Sequence, residues 1–191
     1  VPWPEFAEQY PSAPVLSQET GYFRDYGRSP HPGYDAPTER PRHFHDSLDR
    51  RLPPLERVLA VDFGAESVAF PFSLLQSRRV VEHERSGRDV VLFWTPGLAS
   101  MLDREDVATG RDVGAAAAFQ RPAVKGQLLS FAADRSNPTR FTDAETRSVW
   151  NIFGLAIAGP LAGKALPSVP YEQSFWFACA AARPDTVVVS R

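Results

Sequence analysis

The sequence is poor in cysteine, lysine, histidine and long apolar runs, and each shortage closes a class of function. There is one cysteine, Cys179, in 191 residues. A single thiol excludes an internal disulfide, a cysteine-based zinc site and a CxxC redox pair. Cys179 lies in the apolar run 175–182 with no evident base nearby, so the expected role is a small buried hydrophobe rather than a nucleophile. Lys125 and Lys164 are the only lysines among 21 basic residues, the net charge is −2 and the pI is about 6.1. That balance lacks the basic footprint of a nucleic-acid binder. No stretch approaches the roughly 20 apolar residues a membrane-spanning helix needs. No basic segment followed by an apolar one opens the chain. The chain begins at Val1, which fits a processed terminus and a trimmed start alike.

What is present is a globular composition, with 43% hydrophobic and 23% charged residues. The character changes near residue 56. Ten of the 18 prolines precede that point, at 2, 4, 11, 14, 30, 32, 37, 41, 53 and 54. They exclude regular helix over most of the stretch. Eight aromatics accompany them: Trp3, Phe6, Tyr10, Tyr22, Phe23, Tyr26, Tyr34 and Phe44. Residues 1–56 therefore read as an extended strap that packs its aromatics on a following domain, 57–191. Arg24, Asp25 and Arg28 between the tyrosines read as an ion-pair and cation–π clamp for that strap.

The second part reads as mainly β. Strands are expected at 58–63, at 66–72 and, around the Ser86-Gly87 hairpin turn, at 79–85 and 88–94. Further strands are expected at 128–132, 147–153, 155–158 and 186–189. Helix is expected at 73–78, 98–107 and, with alanine-rich spacing and a Pro184 stop, at 172–183. The fold class is a sandwich or partly closed barrel of short strands, with one C-terminal helix and the irregular strap.

Few constellations suggest chemistry. His43, His45 and Asp46 are the most metal-like set, because residues two apart on extended chain share a side. A site needs further ligands, and His31 and His83 have no spacing that brings them in, so no metal is expected. Asp143 and Glu145, with Asp103, Glu105 and Asp106, are candidate acid/base carboxylates, although Asp143 at a turn start suits bonding to backbone amides. No G-x-S-x-G elbow is present, and Ser100 would need His83 and an acid. Gly154, Gly159 and Gly163 form no phosphate loop, and no cofactor is expected.

Several segments nevertheless occur in a familiar order. They are Asp143-Ala144-Glu145-Thr146-Arg147-Ser148-Val149-Trp150, Ala156-Ile157-Ala158-Gly159-Pro160-Leu161-Ala162-Gly163, and Phe175-Trp176 through Arg183-Pro184-Asp185-Thr186. Over about 57–189 the chain resembles the domain-of-unknown-function family 3179, and the strap resembles the N-terminal extension of a long-form branch. Arg147 stands where that family usually has Gly. Trp94-Thr95-Pro96-Gly97-Leu98-Ala99 stands where many members have Y-C-P-x-C-G, so a role for that cysteine pair does not carry over. The resemblance implies no settled activity and, through the export signals of many members, an extracytoplasmic location.

Within those segments Trp94, Thr95, Ser100, Trp150 and Asn151 form the candidate ligand site, tryptophan and amide together suiting a small molecule or carbohydrate. On a regular strand Trp150 and Asn151 face opposite ways, which puts Trp150 in the core and Asn151 at the site edge. The expected function is a non-catalytic ligand-binding or accessory module. The competing readings are a carboxylate-dependent hydrolase and a structural subunit bound to an envelope protein through the strap. An enzyme should bring two polar groups into mutual reach in a pocket, and a structural subunit should leave strap aromatics exposed.

Overall fold

A computed structural model describes residues 1–36 and 40–190. Pro37 of the strap and Arg191 lie outside the described residues. The fold is mainly β, as expected, but the strands make several small sheets stacked on one another and do not close into a barrel.

The first sheet has the order β12-β1-β2-β13, built from Tyr171–Phe175, Arg57–Asp62, Ser67–Pro71 and Val187–Val188. β13 joins in parallel and the other pairs are antiparallel. The second sheet is β3-β4-β5, from Val80–Arg85, Arg88–Thr95 and Ala115–Gln120. The third, β11-β10-β9-β8, comprises Ala156–Ala158, Val149–Trp150, Phe141–Asp143 and Phe131–Ala133. A two-residue hairpin pairs β6 (Ala123–Val124) with β7 (Gln127–Leu128).

Side-chain alternation distributes the apolar residues over three cores. Leu59, Val61, Val68 and Phe70 of the first sheet meet Val90, Leu92 and Trp94 of the second. From the other side of β4, Val91 and Phe93 meet Phe131, Phe141, Trp150 and Ile152. The back of the first sheet, Val58, Ala60 and Ala69, packs on Trp176, Cys179 and Ala180 of the helix α3, Trp176–Ala182. β1 and β4 are therefore buried on both faces, which is why they read as continuous apolar runs rather than alternating ones. The helix α2, Phe72–Arg78, puts Phe72 and Leu75 into the first of these cores.

Some expectations hold in detail. Arg85 pairs with Arg88 across Ser86 and Gly87, both at positive φ (53° and 72°), the backbone a two-residue hairpin requires. Others are corrected. The expected helix at 172–183 is half strand, because 171–175 supplies the edge that β1 needs. The expected helix at 98–107 is loop, ending in one 3-10 turn at Val107–Thr109. There Ser100, Asp103 and Asp106 accept the amides of Leu102, Arg111 and Ala108, and such local bonds compete with helix. The strap contains a helix that its prolines concealed, α1, Trp3–Gln9, with Pro2 as its N-cap and Pro4 in its first turn.

The strap is also held differently from expectation. Among its aromatics, Trp3, Tyr10, Tyr22, Phe23 and Tyr26 are exposed, Phe23 fully. Its buried residues include two carboxylates, Glu5 and Asp35. Arg140 binds Glu5 at 2.6 Å and Glu8 at 2.9 Å, while Arg57 and Arg111 bind Asp35 at 2.8 and 3.1 Å. Charge-assisted bonds to arginine fasten this segment, together with ring contacts of Tyr10, Tyr34 and Phe44 to Phe153, Phe175 and Phe177 of the domain. Arg28 pairs with Asp25 and Glu105 in the expected clamp, but it reaches no tyrosine ring among the cation–π contacts of the described residues.

Candidate functional site

The five candidate residues are all buried, and they fall into three separate places. Trp94 and Trp150 lie in different cores, on opposite sides of the middle sheet, so they do not line one pocket. The Trp94 indole lies over Gly114, where a Cβ would come within 2.2 Å of the ring, so only glycine fits beneath it. Thr95, at the end of β4, is wholly buried, and among the described residues its hydroxyl reaches only the Pro96 carbonyl, at 3.5 Å.

Trp150 and Asn151 are engaged in hydrogen bonds within the fold. Trp150 donates its Nε1 proton to Asp143 Oδ2 at 2.9 Å. Thr146 N, Thr146 Oγ1 and Ser148 N donate to the same carboxylate. Glu145 accepts the Ser130 amide at 2.8 Å. The D-x-E-T-x-S-x-W segment is thus a staple that closes a turn, with both carboxylates engaged by backbone amides. Asn151 is buried: its Oδ1 accepts the amides of Phe153 and Leu155, and its Nδ2 donates to Gln9 of α1 at 2.8 Å. A register shift between Val149 and Trp150 accompanies this arrangement. Arg147 has φ of 59°, the left-handed conformation that accounts for glycine being usual there.

His83 is not near Ser100. It packs edge-on against Phe63 and Phe70, and burial pushes its imidazole below the ordinary histidine range. Among the described residues no group of three or more His, Cys, Asp or Glu side chains is arranged to hold a metal ion.

Ser100 belongs to the most elaborate polar cluster, which sequence reasoning did not assemble. Ser100 Oγ donates to Asp35 Oδ2 at 2.6 Å, and Arg57 and Arg111 approach the same oxygen. Arg111 also binds the Asp35 carbonyl at 2.6 Å and Asp103 at 3.0 Å. Arg57 lies over the Phe175 ring, 4.9 Å from its centroid. Burial opposes ionisation of Asp35, but the bonds from Ser100 and Arg57 and the charge of Arg111 outweigh it and hold the carboxyl below its usual range. Its other oxygen, Oδ1, is buried without a partner among the described residues, as is Arg57 Nε.

This cluster lines a cleft of about 390 Å³ between the strap and the domain. Pro53, Leu55, Phe72 and Val113 give it apolar walls, and Ser73 and Gln76 of α2 give it a polar rim. No sequence signal joined Asp35 to Arg57, Ser100 and Arg111, since they stand on four separate segments and meet only through the strap's path.

A mainly β chain of stacked small sheets, with a strap fastened by arginines over a mixed cleft, defines the class. The chain belongs to the family described as a protein of unknown function, DUF3179, whose profile matches residues 1–186. The match includes the strap, so the family likeness extends beyond 57–189. No curated protein and no solved structure matches the chain.

Proposed function

We propose that this protein is a non-catalytic, extracytoplasmic binding module that holds a small, neutral, polyhydroxylated molecule of the carbohydrate class in the Asp35 cleft. The observation that carries the reading is a buried acceptor, Asp35 Oδ1, and a buried donor, Arg57 Nε, on the two members of one ion pair, both atoms without partners among the described residues. A hydroxyl both donates and accepts, so it complements the pair, and leaving such groups unpaired is costly. Neither atom has solvent exposure, so a ligand engages them after a small shift of the turn that carries Asp35. Two guanidiniums disfavour a cationic ligand, and Asp35, Glu56 and Asp112 around the same cleft disfavour a strongly anionic one. The apolar walls suit the C–H face of a sugar ring. The extracytoplasmic placement rests on the family resemblance, and fractionation of cells carrying the native gene tests it.

Titration calorimetry against a panel of mono- and oligosaccharides tests the cleft. Binding of at least one sugar is expected, abolished by Gln76→Trp, which fills the rim from an exposed helix position without lowering the melting temperature. Absence of binding across the panel, or binding that survives Gln76→Trp, refutes the reading. A second reading, a structural subunit of an envelope assembly, is favoured by the exposed strap aromatics Tyr22 and Phe23.

A further inference from the structure

The helix α1 is a docked arm on a loose tether. Its groove is specific. Arg140, only 13% exposed in its side chain, holds Glu5 and Glu8 together. Asn151 holds Gln9, Pro2 lies against the Gly97 position, and Tyr10 meets the Phe153 ring edge-on at 5.5 Å. Trp3, Phe6 and Tyr10 form a ladder along the helix that Phe153 continues. A seven-residue helix does not hold its shape alone in water, so α1 exists because it is docked.

The tether is different in kind. Among the described residues, 11–26 make hydrogen bonds only within the span 10–28, and the first backbone bond back to the domain is from Val107 N to Gly27 O. Sixteen residues of extended chain reach about 55 Å, enough to cross to a neighbouring copy. The tether also leaves Val15, Leu16, Tyr22 and Phe23 at 64% to 107% exposure, apolar side chains that the monomer does not cover.

From these observations we propose that α1 is an exchangeable arm: in a dimer, α1 of each copy occupies the Arg140–Asn151–Phe153 groove of the other. The occupant is a second copy of this chain because its arm reproduces every contact of the groove. Exchange therefore costs no native contact, the condition under which swapping an element between protomers is favourable. Two tethers crossing between the copies bury the apolar side chains that one tether leaves in water, and this tips the balance toward the dimer.

A pair of charge-reversed full-length chains tests the proposal. One carries Glu5→Lys and Glu8→Lys, the other Arg140→Glu. In either chain alone, arm and groove repel, in cis and in trans. When the chains are mixed, each arm matches only the groove of the other chain. Circular dichroism first establishes that both chains are folded, and analytical ultracentrifugation then reads the mass. The expected result is a heterodimer on mixing, at least tenfold tighter than self-association of either chain, and lost when residues 1–10 are removed from both. Monomers on mixing overturn the proposal. So does equal dimerisation of the separate chains, which would place the contact on another surface. Should either chain fail to fold, the wild type decides: a dimer lost on removal of residues 1–10 supports arm exchange, and a monomer across the micromolar to millimolar range overturns it.

Discussion

Replacing Asp143 by alanine should damage stability, not activity. Its carboxylate accepts Thr146 N at 2.5 Å, Thr146 Oγ1 at 2.9 Å, Ser148 N at 3.1 Å and Trp150 Nε1 at 2.9 Å. Ser148 and Trp150 are 0% and 1% exposed, so water does not take over their donors. Orphaning two buried donors costs roughly 1–3 kcal/mol each, and the lost charge-assisted bonds add to it, giving on the order of 4 kcal/mol. That is a large part of the ~5–15 kcal/mol by which domains are stable. Asp143→Asn keeps one acceptor oxygen but turns an N–H₂ group toward donors, so about 2 kcal/mol is expected. Urea unfolding followed by tryptophan fluorescence measures both, with an unchanged slope showing that the unfolded state is not altered. A cost below about 1 kcal/mol for Asp143→Ala would refute the view that this segment is a structural staple.

Arg147→Gly should stabilise by a few tenths to about 1 kcal/mol, read as a raised urea midpoint, because it relieves a left-handed backbone while adding some unfolded-chain freedom. Cys179 should react slowly with a thiol reagent in the folded state and fast in urea, since burial pushes the thiol up and only in part is this opposed by Thr186. Asp35, Asp49 and Asp134 are all held below the usual carboxylate range. Their contribution is therefore present above the unfolded value near ~4 and is lost as pH falls through their folded values. A scan of melting temperature from neutral pH downward should fall below about pH 4, and Asp35→Asn should lower the neutral plateau and flatten the fall.

The fold was legible where one physical signal dominated. The apolar runs at β1 and β4 and the Ser86-Gly87 turn each announce themselves because burial and hairpin geometry act locally. β5 was not legible, since Ala115–Ala118 reads as a helix former and becomes strand only because β4 offers an edge. The strand 171–175 was missed for the same reason, its partner β1 lying more than a hundred residues away. The site was less legible still. Tryptophan and asparagine suggested a pocket by type, but Trp150 and Asn151 were already committed to Asp143 and to turn amides. The Asp35 cluster joins four segments that only the folded strap brings together, and no periodicity encodes such a meeting.

The pairing of β1 with β12 also sets a timetable. Residues 57–62 wait for 171–175 before the first sheet has its edge, and β2 waits for 187–188. A chain made from its N-terminus therefore cannot finish its first sheet until its last twenty or so residues are free, because long-range pairing comes late. Until then β1 and β2 present bare strand edges. Late closure leaves the growing chain dependent on whatever shields those edges from other copies of itself.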